Sequence, residues 1–329
     1  MKVAVFSARR YDRMLLNEAN ASHGHELVFL EDQLNARTAD LAQGCEAVAI
    51  FVNDKADKDV LATLAAGGTR LVTTRSTGFN HIDAEAAAAL DIAATRVADY
   101  SPYSVAEFAV GLLIAVNRKI PRAVTRTRDG NFELDGLMGF DLHGRTVGVV
   151  GTGKIGRIFG RIMSGFGCTV LGYDPYPQAE FETYGRYVTA DELLAASDIV
   201  SLHCPLTEAN RHLVNADTLA RSKRGGILIN TSRGGLVDTE AAVEALKSGQ
   251  LGGLAIDVYE QEASLFFQDL STTIIADDVI QRLVSFPNVI VTGHQAFFTR
   301  EAIGQIMATT LDNITAFARG EPLVNRIEA

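Results

Sequence analysis

"RTVGVVGTGKIGRIFGRIMSGFGCTVLGYDPYP", residues 145–177, is the stretch whose reading decides the fold. A β-branched run, Thr146–Val150, leads into Gly151-Thr152-Gly153-Lys154-Ile155-Gly156. A stretch of helical spacing follows, then a second apolar run that stops at Asp174. Glycines at this spacing between a strand and a helix serve three ends. Gly151 permits a tight turn, Gly153 lets a pyrophosphate approach the backbone, and Gly156 lets the helix pack closely on the strand. The helix N-terminus, with its free N–H groups, then favours the anion. Asp174 stands where an acid accepts hydrogen bonds from ribose hydroxyls. The residues after it, Pro175, Tyr176 and Pro177, offer no arginine to a 2′-phosphate, so NAD is expected rather than NADP.

The same alternation of short β-rich runs and helix-like stretches extends in both directions. One series comprises Val3–Phe6, Leu27–Leu30, Ala47–Val52, Leu71–Thr74 and Ile92–Val97. A second comprises Thr146–Val150, Thr169–Tyr173, Asp198–Leu202, Ile227–Asn230, Leu254–Val258 and Val289–Thr292. Such alternation predicts an α/β protein with two doubly wound parallel-sheet (Rossmann-like) domains, of five and six strands. Between the series, "YSPYSVAEFAVGLLIAVNRKI" (100–120) carries apolar residues on every side of a helix. It is expected to be buried all round, between domains or against another subunit, which suggests a homo-oligomer, dimer or tetramer.

Composition narrows the functional classes. With 329 residues the chain has room for two cores, and 47% hydrophobic against 21% charged residues is a soluble globular balance. A net charge of −10 without any lysine or arginine run argues against nucleic acid or an anionic membrane as partner. The longest apolar run, Phe108–Val116, is far too short to span a bilayer. Cys45, Cys168 and Cys204 lack metal-type spacing and read as reduced residues of a cytoplasmic protein. His23 and His25 form an H-x-H pair with no supporting acid or cysteine pattern, so no metal is expected.

In open α/β sheets, ligands bind outside the carboxyl ends of the strands. "ILINTSRGGLVD" places Arg233 at one such end, "LAIDVYEQE" places Asp257, Glu260 and Glu262 at the next, and "VIVTGHQ" places His294 at a third. These residue types suit reduction of a 2-oxo acid. A guanidinium fork binds a carboxylate and polarises the neighbouring carbonyl. A histidine supplies a proton near neutral pH, and an adjacent carboxylate favours its charged form and fixes its orientation. Taken singly, each could be a cap, a turn residue or a solvated charge; their coincidence downstream of a dinucleotide fingerprint points to a site.

The chain resembles the D-isomer-specific 2-hydroxyacid dehydrogenases, nearest the D-lactate dehydrogenase branch. The resemblance is carried in order by "RSTGFNHID" (75–83), "VADYSPYSVAEFAVGL" (97–112), "GVVGTGKIG" (148–156) and "DIVSLHCPLT" (198–207). "ILINTSRGGLVD" (227–238), "GLAIDVYEQE" (253–262) and "NVIVTGHQAFFT" (288–299) complete it. It implies NAD-dependent interconversion of pyruvate and D-lactate. It further implies Arg233 as substrate-binding residue and His294, paired with Glu262, as general acid–base, with Glu260 outside the pair. Thr77, Gly78, Tyr100 and Phe297 would bind substrate, the turn at Gly78 through its N–H groups. Besides the glycines, Lys154, Ile155, Asp174, Cys204, Pro205, Asn210, Thr231, Ser232 and Asp257 would line the cofactor, Asp257 near its carboxamide. The implied substrate domain is residues 1–98 and 298–329, with the NAD-binding domain at 99–297. Hinges are expected near Tyr100 and His294, the second of them at Gln295 and Ala296.

Some expectations remain open at this level. "EASLFFQDLSTTIIADDVIQRLVSF" (262–286) is either a lid or a surface loop carrying one short helix. Phe51, Tyr100, Phe297 and Phe298 bear on whether the substrate is pyruvate or a bulkier 2-oxo acid such as phenylpyruvate or hydroxypyruvate. A rival of another class is a non-catalytic NAD-sensing binding protein, as in the C-terminal binding protein corepressors. His81, His143 and His212 have local turn or helix-edge explanations, and His203, next to Cys204, could orient the site.

Overall fold

Strand pairing is parallel throughout both sheets of the computed structural model, which describes residues 1–328. The chain divides into two units, Met1–Ser101 with Phe298–Ala329, and Pro102–Phe297.

In the first unit the strands are β1 (Lys2–Val5), β2 (Glu26–Phe29), β3 (Ala47–Ile50), β4 (Leu71–Thr74) and β5 (Ala93–Thr95). Their order in the sheet is β2-β1-β3-β4-β5. Every residue of β3 and β4 is buried, as expected of strands covered on both faces. Helices α1 (Arg10–Asn20), α2 (Lys58–Ala66) and α3 (Ala84–Ala89) follow β1, β3 and β4, and the C-terminal helix Arg300–Ala318 packs beside α1. Asp57, Asp83 and Thr299 cap α2, α3 and the C-terminal helix by accepting main-chain N–H bonds. His23 and His25 both hydrogen-bond the Thr315 hydroxyl of that helix, at 2.8 and 2.9 Å.

The second unit opens with α4 (Pro102–Asn117) and α5 (Ile120–Arg128). Its sheet comprises β6 (Thr146–Val150), β7 (Thr169–Tyr173), β8 (Arg186–Tyr187), β9 (Ile199–Leu202), β10 (Gly226–Asn230), β11 (Leu251–Ile256) and β12 (Val289–Val291). The order is β12-β11-β10-β9-β6-β7-β8. From β6 the chain winds one way through β7 and β8, then the other way through β9 to β12. The reversal at β6 and β9 is the switch point where such sheets take their ligands. Helices α6 (Lys154–Gly165), α7 (Ala190–Ala196), α8 (Ala216–Arg221), α9 (Thr239–Ser248) and α10 (Asp278–Ser285) cover the two faces.

Two expectations need correction. The second sheet has seven strands, not six. The addition, β8, is two residues long and has no apolar run to announce it. β11 begins at Leu251, before the expected Leu254, because Leu251 and Gly253 still pair with β10, with Gly252 as an irregularity between them. Helix α4 shows an exposed strip within the single chain, formed by Tyr103, Glu107 and Gly111, four residues apart. Its other faces pack against α6 and against β10 and β11.

Candidate active site

The glycine-rich turn links β6 to α6. Gly151 adopts φ +91°, and a methyl group there would press on the His203–Cys204 peptide. A methyl group on Gly156 would collide with the Gly151 carbonyl oxygen, so the helix sits against the turn as closely as glycine allows. Around Gly153, the N-cap of α6, nothing lies within 4 Å of such a methyl group. The open space thus falls at the one glycine whose backbone a pyrophosphate must approach, above a helix N-terminus. Lys154 and Ile155 form the first helical turn.

Asp174 closes β7 with its carboxylate already oriented. Oδ2 accepts from the Thr152 N–H at 2.6 Å and its hydroxyl at 3.2 Å, while Oδ1 accepts from the Tyr176 N–H at 2.8 Å. A carboxylate has about four acceptor positions, so capacity for ribose hydroxyls remains. Past β9, the Cys204 carbonyl accepts from the Ser232 hydroxyl at 2.6 Å, and Asn210 donates to the Pro205 carbonyl at 2.8 Å. Burial pushes the Cys204 thiol up to about 11, so it is no nucleophile. The Thr231 hydroxyl is buried with no hydrogen-bond partner among the described residues, an orphan that a bound dinucleotide could satisfy. Together these features fit NAD.

Arg233, Glu262 and His294 follow β10, β11 and β12, three neighbours in the sheet. His294 Nδ1 and Glu262 Oε1 are 2.9 Å apart. An ionised carboxylate only accepts, so Nδ1 carries the proton of that bond and Nε2 faces away from it. Glu262 Oε2 in turn accepts from the Tyr259 N–H at 2.9 Å. His294 has φ +56°, a left-handed backbone that a non-glycine residue adopts only under local constraint.

That constraint comes from Asp257. It is 0% exposed, and its Oδ1 accepts from the Thr292 hydroxyl at 2.5 Å and the Gln295 N–H at 2.9 Å. Its Oδ2 accepts from the Ala296 N–H at 2.8 Å. Burial holds the carboxyl above its usual range, opposed by these hydrogen bonds and by His294. Asp257 therefore buckles the turn that presents His294, where the sequence assigned it only to the carboxamide. Gln295 and Ala296, expected as a hinge, are tied down by the same carboxylate. The chain leaves the unit after Phe297.

The guanidinium of Arg233 donates to its neighbour's carbonyl, Ser232 O, at 2.7 Å and has no carboxylate partner among the described residues. The 262–277 connection is irregular apart from one short 3-10 turn at Glu262–Ser264, with α10 after it. It nonetheless reaches the site: the Phe267 ring lies 5.8 Å from the His294 ring, and the Tyr259 hydroxyl donates to Asp277 at 2.8 Å, fixing the far end. No sequence signal had marked Phe267. Glu260 also has a histidine partner, His212, at 2.7 Å.

In the first unit, Thr77 and Gly78 form a turn after β4. Ser76 donates to the Gly78 carbonyl at 2.7 Å, and Arg96 to the Thr77 carbonyl at 3.3 Å. The Thr77 and Gly78 N–H groups make no hydrogen bond among the described residues, as a carboxylate-binding turn requires. Behind it, Arg75 is 2% exposed, ion-paired to Asp12 and stacked over Phe51. Phe298 packs edge-on to Tyr11 at 4.8 Å. Tyr100 lies one residue before the end of this unit's first segment, Met1–Ser101, and Phe297 ends the other unit.

No helix among the described residues is long and apolar enough to cross a membrane. Residues 110–296 match the family model described as "D-isomer specific 2-hydroxyacid dehydrogenase, NAD binding domain". A 2-hydroxyacid dehydrogenase homolog from Zymomonas mobilis is 49% identical, covering 98% of each chain. The apo-structure of D-lactate dehydrogenase from Escherichia coli superposes with a TM-score of 0.92 at 45% identity, covering 99% of this chain and 100% of that one. A structure described as the pyruvate reductase of Chlamydomonas reinhardtii gives 0.94 at 42%, covering 99% and 98%. Fold, site and relatives agree: the chain belongs to the D-isomer specific 2-hydroxyacid dehydrogenases, NAD-binding oxidoreductases of the Rossmann type.

Proposed function

We propose that the reaction is reduction of pyruvate to D-lactate and its reverse. The observation that carries the reading is the His294–Glu262 bond of 2.9 Å, made past the ends of β12 and β11, with Arg233, which has no carboxylate partner among the described residues, past the end of the neighbouring β10. Bound NADH supplies the hydride to C2 of the keto acid. Arg233 grips the substrate and polarises its keto group, as a permanent planar cation does. His294 Nε2 gives its proton to the keto oxygen as it becomes an alcohol, and Glu262 holds the ring at Nδ1 and balances its charge. In lactate oxidation the same nitrogen takes the proton back. Thr77 and Gly78 offer their N–H groups to the substrate carboxylate. D-lactate dehydrogenase and pyruvate reductase among the relatives support the choice of substrate.

The test is NADH consumption across pyruvate, hydroxypyruvate and phenylpyruvate with the intact protein and with His294→Ala. Pyruvate should give the highest kcat/KM. The variant should lose about 10²- to 10⁴-fold in turnover while binding NADH normally. A bulkier acid ranking first would replace the substrate. Undiminished turnover by the variant would remove His294 from the chemistry, and no consumption with any acid would favour the NAD-sensing alternative.

A further inference from the structure

Glu260 stands two residues before the partner of His294 and is joined to a second histidine. Its Oε1 accepts from His212 Nε2 at 2.7 Å and from Arg211 at 3.3 Å. Its Oε2 accepts from the N–H and hydroxyl of Thr239, the first residue of α9, at 3.3 and 3.2 Å. A carboxylate at a helix N-terminus is well placed electrostatically. The side chain is only 19% exposed although two of its donors reach the surface. Like His294, His212 has a left-handed backbone, φ +52°.

These contacts enclose the turn that carries Arg233. On one side, the His212 N–H donates to the Gly235 carbonyl at 2.8 Å, and Val214 N–H to the Leu236 carbonyl at 3.0 Å. On the other, Gly234 lies so close to the Tyr259–Glu260 peptide that a methyl group would collide with it. Glu260 closes the loop by binding 211–212 and Thr239 at once. The adjacent Tyr259 N–H holds Glu262. Two consecutive residues thus fix both the Arg233 turn and the partner of His294.

We propose that Glu260 is a positioning residue for Arg233: through Arg211, His212 and Thr239 it sets where the guanidinium stands relative to the His294–Glu262 pair. The proposal rests on Arg233 binding the substrate. A misplacement of about 1 Å costs about 10²-fold in rate, so clamp loss should be visible in kinetics.

The experiment is a double-mutant cycle on the full chain, with Glu260→Ala, Arg233→Ala and the pair, reading kcat and KM for pyruvate and NADH affinity by fluorescence. Glu260→Ala should lower kcat/KM for pyruvate about 10- to 100-fold, with NADH affinity within about 3-fold of the parent. In the Arg233→Ala background the same change should cost less than about 3-fold, because its route of action is gone. Glu260→Gln, which keeps the shape and part of the hydrogen bonding, should fall between, and it replaces the alanine variant in the cycle should that fail to fold. Equal losses in both backgrounds, or no loss in either, overturn the proposal. Should Arg233→Ala itself keep full kcat/KM, the failure lies with the reading of the site.

Discussion

Replacing Asp257 with asparagine tests what holds the proposed proton donor, His294, in place. The amide has the carboxylate's shape but one acceptor fewer. Of the three donors now served, from Thr292, Gln295 and Ala296, at least one must face an NH₂ group. Losing a charged hydrogen bond and leaving a buried donor unmet each cost about 1–3 kcal/mol. His294 holds a left-handed backbone that costs about 1–2 kcal/mol in a non-glycine residue. The loss is therefore large enough to release the turn, and the ring with it. We expect stability to urea to fall by about 2–4 kcal/mol and kcat for pyruvate reduction to fall about 10²-fold. NADH affinity, read by fluorescence titration, should change far less. A variant with kcat within about threefold of the parent but weakened NADH binding would refute the buckle and return Asp257 to the carboxamide.

Two further outcomes follow from the geometry. Gly156→Ala should destabilise the protein by about 1–3 kcal/mol, since its methyl group meets the Gly151 carbonyl. Gly153→Ala, with open space around it, should fold with nearly parental urea stability yet bind NADH at least about tenfold more weakly; equal NADH affinity would dissociate that space from the cofactor. Burial lowers His81 to about 4 and His203 to about 3, and His203 Nδ1 is sealed from solvent without a partner. The unfolded chain binds these protons near pH 6.5 and the folded chain refuses them. The stability they lend is thus complete above pH 6.5 and lost as pH falls toward 4, at about 1.4 kcal/mol per pH unit for each ring. His203→Asn should shrink the urea-stability difference between pH 7.5 and 5 by about 2 kcal/mol, and an unchanged difference would exclude the ring as its source.

What the sequence disclosed was whatever local chemistry spells out in neighbouring residues. The Gly151–Gly156 turn and Asp174 were legible because tight turns and helix starts demand specific residues within one strand–helix–strand unit. The two sheets were legible from apolar runs, except where glycine broke the run in β11 or the strand was as short as β8. Glu262 and His294 are 32 positions apart, and the sequence paired them only through their places at neighbouring strand ends and through the resemblance. The roles of Asp257 and Glu260 were hidden for a different reason. Both act largely on main-chain N–H groups or on distant side chains, and such donors leave no residue-specific trace. Phe267 sits in an irregular segment where no periodicity assigns a direction.

Arg233, Glu262 and His294 stand in the segments that follow three neighbouring strands, β10, β11 and β12, inside one continuous stretch of chain. The strand ends from which these segments leave are set apart by the 4.7–4.9 Å interval between neighbouring β-strands, a constant of backbone geometry. Residues 1–101 and 298–328 build a separate sheet and contribute no strand to that spacing. Under the proposed function, substitutions there bear on substrate recognition and leave in place the strand ends that precede Arg233, Glu262 and His294.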